Sequence, residues 1–134
     1  MQDRFRFRLF DTRNQEMIYD VQQSQFNYHK NAYNLPLLEG AMLNEPHIIK
    51  LMQCTGLKDK SDRLIFEGDI IYKKGTKNHR GEKMYSEVVW DQMYAEFNIS
   101  DDNGMHRMPS NSNNIEIIGN IYENPELLQG DNNV

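Results

Sequence analysis

Glu67 and Asp69 flank Gly68. In an extended strand, side chains two positions apart share a face, so these carboxylates could hold a cation or act as a general acid and base. The same Glu-Gly-Asp triplet also suits a turn entering a strand, with Asp69 accepting local main-chain N–H groups. The run from Lys73 to Lys83 offers different chemistry. Its five cations, Lys73, Lys74, Lys77, Arg80 and Lys83, outnumber the one acid, Glu82, and could track phosphates of DNA or RNA. Tyr72 and Tyr85 at its ends could stack on bases. Its plainer reading is a solvated hairpin tip. A second basic stripe, Arg4, Arg6 and Arg8, alternates with Phe5, Phe7 and Leu9; its plainer reading is pairing with carboxylates on a neighbouring strand or subunit.

Metal and nucleophile chemistry find little support. His29, His47, His79 and His106 show no i, i+2 or i, i+4 spacing, and none stands at zinc-ligand spacing from Cys54. Cys54 has no CxxC partner and reads as a small buried hydrophobe. Neither GxxxxGK[ST] nor GxGxxG occurs. No metal, no cofactor and no catalytic residue is therefore expected, and the protein is not expected to be an enzyme.

Composition narrows the class. The 134 residues carry a net charge of −5, and the mean hydropathy is −0.81. Aromatic residues make up 10% of the chain, which argues against wholesale disorder. No apolar run approaches the roughly 20 residues of a membrane span, and the N-terminus lacks the apolar core of a signal peptide. A single cysteine fits a reducing cytoplasm. The charge is uneven along the chain. Residues 1–83 hold 14 basic and 11 acidic residues, a net of +3, whereas residues 84–134 hold one basic and nine acidic residues, a net of −8. Such a division favours head-to-tail attraction between copies, or two surfaces that neutralise each other within one copy.

The elements that must position these residues are short strands. Alternation over Arg4–Leu9 and the apolar Met17–Tyr19 predict a hairpin across the polar turn Asp11–Glu16. Residues 20–46 show no clean period and read as an irregular arm, with a short helical piece near Leu37–Leu43. Ile48–Gln53 predicts a buried strand, followed by a polar turn over Gly56–Arg63. Leu64–Phe66, Ile70–Tyr72, Tyr85–Trp90, Ala95–Ile99 and Ile115–Ile118 predict further strands, with Lys73–Lys83 as a basic loop. Ser100–Asn114 reads as an exposed loop or irregular hairpin, with Met105 and Met108 open to cover by another subunit. Gly119 reads as a bulge, and Asn124-Pro125 opens a helical turn. No internal repeat is evident. The fold class is mainly β, with a β-rich α+β arrangement as the variant. It is expected to be one domain over residues 1–134: a hairpin and arm over 1–46, a small antiparallel barrel over 47–128 and a frayed tail over 129–134.

Three segments together resemble the YopX family of phage and prophage proteins. They are Leu51–Lys60 (LMQCTGLKDK), Ile65–Ile71 (IFEGDII) and Ile115–Leu128 (IEIIGNIYENPELL). Phe7–Asp11, Met17–Tyr19 and the Val88-Val89-Trp90 strand end add to the likeness. The resemblance implies a β-rich fold, SH3-like in its second half, plausible oligomers and no established catalytic residues to carry over. It points to a phage or prophage accessory protein of the bacterial cytoplasm. Such a protein would bind a host or phage protein or itself, with nucleic-acid binding through residues 73–83 as the alternative and a Glu67/Asp69 enzyme as the remaining one.

Overall fold

A computed structural model describes residues 3–21, 49–109 and 112–128. The expected arm and its helical piece lie outside the described residues. The chain divides into two compact units, Met1–Cys54 and Thr55–Val134.

In the first unit a 3-10 turn, η1 (Asp3–Phe5), precedes β1 (Phe7–Asp11) and β2 (Glu16–Val21). β1 is central, pairing antiparallel with β2 and with the start of β3 (Ile49–Lys58). Leu9 faces Ile18 on one side and Leu51 on the other. The hairpin is as expected, and Asp11 explains its turn. Asp11 Oδ1 accepts the N–H groups of Arg13 and Asn14, and Oδ2 accepts the Asn14 amide at 2.8 Å. The alternating arginine stripe is corrected. Arg4 and Phe5 belong to η1, ahead of the strand that starts at Phe7, and Arg8 is buried beside the Tyr19 ring, so the three cations share no exposed strand face. Arg6 does pair with a carboxylate on the neighbouring strand, that of Asp20.

In the second unit follow β4 (Leu64–Phe66), β5 (Asp69–Lys77), β6 (Lys83–Asp91), β7 (Glu96–Asp101), β8 (Gly104–Arg107) and β9 (Ile115–Asn120). Two more 3-10 turns, η2 (Ser112–Asn114) and η3 (Pro125–Leu128), complete it. The last five strands form an antiparallel sheet in the order β8-β7-β6-β5-β9. Its core is Ile65, Ile71, Val88, Ile99 and Ile115, with Phe97, Met108 and Ile117 packed against it. Deleting one such isoleucine to alanine costs about 2–5 kcal/mol. The protein is mainly β, with two antiparallel sheets, one of them curled into a half-barrel. No α-helix occurs among the described residues, so the α+β variant finds no support there. Nor is any helix among them long and apolar enough to cross a membrane.

Two boundaries and the placement of one side chain differ from the sequence reading. β3 runs on through Gly56 to Lys58 rather than ending near Gln53, with Gly56 in the left-handed region at φ 86°. Its last residues, Gly56 to Lys58, are all exposed, so no alternation of buried and exposed positions marks them as strand. Lys73–Lys83 is mostly strand, and only residues 78–82 turn the chain. A bulge between Tyr72 and Lys77 and the left-handed Gly75 disguise the period. Residues 100–107 follow the irregular-hairpin reading as β7-β8, whereas Met108 packs on the core instead of lying open.

Candidate functional site

The hairpin β5-β6 carries the basic cluster. Tyr72 and Tyr85 face each other in register, with ring centroids 6.2 Å apart at 85°, and Lys83 Nζ lies 4.9 Å from the Tyr72 centroid. Lys77 and Lys83 are directly opposed, which costs stability because like charges share one pair. The turn is built on Asn78. Its Oδ1 accepts Arg80 N–H at 2.9 Å and Glu82 N–H at 3.0 Å, and Arg80 lies 3.9 Å from Glu82. Lys74, Lys77, Arg80 and Lys83 are exposed. Lys73 is half-buried and registers with Ile115 on the other flank of β5. Strand alternation turns it from the Tyr72 face, so the five cations do not share one surface.

Glu67-Gly68-Asp69 is a turn. Gly68 (φ 87°) donates to Val88 O and accepts from Ile121 N, and Asp69, 2% exposed, accepts the Phe66 N–H at 2.8 Å. Asp69 therefore serves the local backbone. Glu67 instead bears on Glu87, which burial, and then repulsion from Glu67, hold above the ordinary carboxylate range. Glu87 lies with Lys83, Tyr85, Asp101 and Leu127 in a cleft of about 340 Å³ beside η3. His29 and His47 lie outside the described residues. His79 is exposed, His106 approaches Asp101 at 3.2 Å, and Cys54 is buried. Among the described residues no group of three or more His, Cys, Asp or Glu could hold a metal ion.

A second surface went unread in the sequence. β6, β7 and β8 present, on the face away from the core, a groove of about 600 Å³. Its walls include Met93, Tyr94 and Met105, which are 83%, 67% and 52% exposed. Asp91, Glu96, Asn98 and Arg107 also line it. Register explains the grouping: Asp91 faces Glu96, Asn98 faces Arg107, and Ser100 faces Met105. Asp91 also shapes the hairpin, its Oδ1 accepting the N–H groups of Met93 and Tyr94, which holds these large side chains at an exposed tip. Arg107 stands 3.7 Å from Glu96. Asn98 is 5% exposed; its amide donates to Asp91 Oδ2 at 3.0 Å, while its Oδ1 accepts no hydrogen bond among the described residues. The amide cannot flip without setting oxygen against carboxylate oxygen. Two large apolar residues at the centre of the Asp91–Glu96 turn, where polar residues are usual, were the available signal.

These features define a two-sheet β protein whose most distinctive described surface is an apolar-walled groove with a polar floor, next to the edge strand β8. The chain belongs to the YopX family, whose model, described as YopX protein, matches residues 6–129. Among solved structures it is similar to protein EF1440 from Enterococcus faecalis, at 24% identity and a TM-score of 0.59, over 92% of this chain and 96% of that one. That likeness concerns the fold. The search of curated proteins returned no match.

Proposed function

We propose that this protein is a non-catalytic, self-associating protein-binding module, an accessory protein of a phage or prophage that acts in the bacterial cytoplasm. In this reading the second unit is an SH3-like scaffold. One observation carries it: Met93, Tyr94 and Met105 stand exposed around a groove at the edge of the five-stranded sheet. Exposed methionine and tyrosine around a polar floor are typical of protein interfaces. Family membership supports the accessory role. Light scattering during size-exclusion chromatography at several salt concentrations tests it. The wild type is expected to assemble at micromolar concentration and Tyr94→Asp to be monomeric. A strictly monomeric wild type overturns the reading.

Nucleic-acid binding through β5-β6 is the second reading, favoured by the opposed Lys77 and Lys83, whose repulsion a phosphate would relieve. It expects salt-sensitive binding of single-stranded DNA or RNA that weakens when Lys74, Lys77 and Arg80 are neutralised. No binding at low salt eliminates it.

A further inference from the structure

We infer that this chain pairs with a second copy through the outer edge of β8, antiparallel and with His106 on the two-fold axis. The inference rests on the self-association proposed above and gives it a strand, a register and a symmetry.

The five-stranded sheet has two edges, and they differ. The outer edge of β9 is occupied. Ile115 O accepts the Lys60 N–H at 2.8 Å, the Ile117 N–H donates to Asp59, and Ile117 O accepts the Arg63 guanidinium at 2.8 Å. β8 ends the other side, and among the described residues no strand lies beyond it. All four of its residues are exposed, and its ladder with β7 runs in unbroken register. A regular, uncovered edge is a template for another strand, which natural proteins often blunt with a bulge or a proline; β8 has neither.

Register fixes which groups face outward. Asp101 pairs with Gly104 across a two-residue loop, which makes them a hydrogen-bonded pair, and Ile99–His106 is the next. The main-chain N–H and C=O groups of Met105 and Arg107 therefore point to the open edge. Three antiparallel two-fold registers match such outward groups. With Met105 on the axis, Arg107 faces Asn103, whose N–H is held by Asp101 Oδ1 at 2.8 Å. With Arg107 on the axis, two guanidinium groups oppose each other, and Met105 faces Pro109, which has no N–H. With His106 on the axis, Met105 of each copy faces Arg107 of the other, and all four residues bond through the main chain. That register lays the Arg107 stem on the exposed Met105 side chain and asks nothing of the guanidinium, which stays with Glu96. Each His106 keeps its own Asp101 carboxylate at 3.2 Å. The acidic start of each β8, at Asp101 and Asp102, is directed toward the cationic end of the other. The contact is isologous and closes as a dimer.

Disulfide trapping in the full-length chain tests this. Residues opposed on the axis as a non-hydrogen-bonded pair have Cα atoms about 4.5 Å apart, within disulfide range. His106→Cys, oxidised with diamide, is expected to give a covalent dimer, whereas wild type, whose Cys54 is buried, gives none. Met105→Cys is expected to cross-link at least tenfold more slowly, because its two copies stand two positions out of register. Arg107→Pro removes an outward N–H and is expected to weaken the dimer at least tenfold beyond Arg107→Ala by light scattering. A wild type that assembles while His106→Cys gives no covalent dimer overturns the edge pairing and leaves self-association standing. Faster cross-linking of Met105→Cys overturns the register. A monomeric wild type overturns both the pairing and the reading it rests on, and leaves β8 to an extended segment of another protein.

Discussion

The Asp59 carboxylate accepts the main-chain N–H of Ile117 at 3.1 Å, joining the loop after β3 to β9 across 58 positions of sequence. The same carboxylate accepts the N–H groups of Ser61 and Arg63 and the Arg63 guanidinium. Burial alone would raise its pKa. The Ile117, Arg63 and Ser61 N–H groups, with the Arg63 charge, outweigh burial and hold it below the ordinary aspartate value. Asp59→Ala strands these donors and is expected to cost about 3 kcal/mol in urea unfolding. A carboxylate with a lowered folded-state pKa stabilises at pH above its unfolded value of about 3.9. This contribution disappears as the pH falls through the folded value, so the wild type should lose more stability on acidification than Asp59→Ala does.

Glu87 has the opposite sign. Its folded-state pKa is raised, by burial first and by Glu67 second. Its contribution is fully favourable below the unfolded value and is lost as the pH rises through the folded one. Glu87→Gln should therefore melt higher than wild type at pH 7, with the gain vanishing below about pH 4. An equal gain at both pH values would show that charge is not the cause.

Gly119 sits where β9 shifts register against β5, between the Ile70–Gly119 and Ile71–Ile117 pairs. A Cβ there would stand 2.5 Å from Asn124 Oδ1 and 2.9 Å from Asn124 Cβ. That side chain is not free to withdraw, because Asn124 Oδ1 accepts the Asn120 N–H at 3.2 Å. Gly119→Ala should cost about 1–3 kcal/mol by overpacking, measured by chemical denaturation.

Lys77→Glu converts the opposed lysine pair with Lys83 into an ion pair. The expected gain is about 0.5 kcal/mol, shrinking in high salt. The same variant should weaken any nucleic-acid binding by β5-β6, so stability and binding move in opposite directions.

The first hairpin was readable because Phe7, Leu9, Met17 and Ile18 put apolar period and turn residues in the same 12 positions. Its turn has a counterpart that residue identity concealed. Asp11–Glu16 and Asp91–Glu96 each pair an aspartate with a glutamate across four loop residues. In both, the aspartate Oδ1 accepts the N–H groups two and three positions on. The fourth loop residue, Gln15 or Ala95, is left-handed at φ 54° or 52°. In the letters only the flanking Asp and Glu recur, because the turn is set by the aspartate carboxylate and by backbone geometry that differing loop residues can adopt. The ends of β3 and β5 were not readable, since exposed polar residues and glycines satisfy a strand through main-chain pairing, which leaves no hydropathy pattern.

Sequence by itself determined the mainly β class, the family likeness and the uneven charge along the chain, because these rest on composition and local pattern. The groove was decided only by tertiary structure. Met93 and Tyr94 lie in one turn and Met105 in another strand, and only the pairing of β6 with β7 and of β7 with β8 puts them around Asn98. The unmatched Asn98 oxygen is likewise invisible in one dimension. Whether a polar atom is buried, and what donor reaches it, depends on neighbours that strand register supplies from elsewhere in the chain.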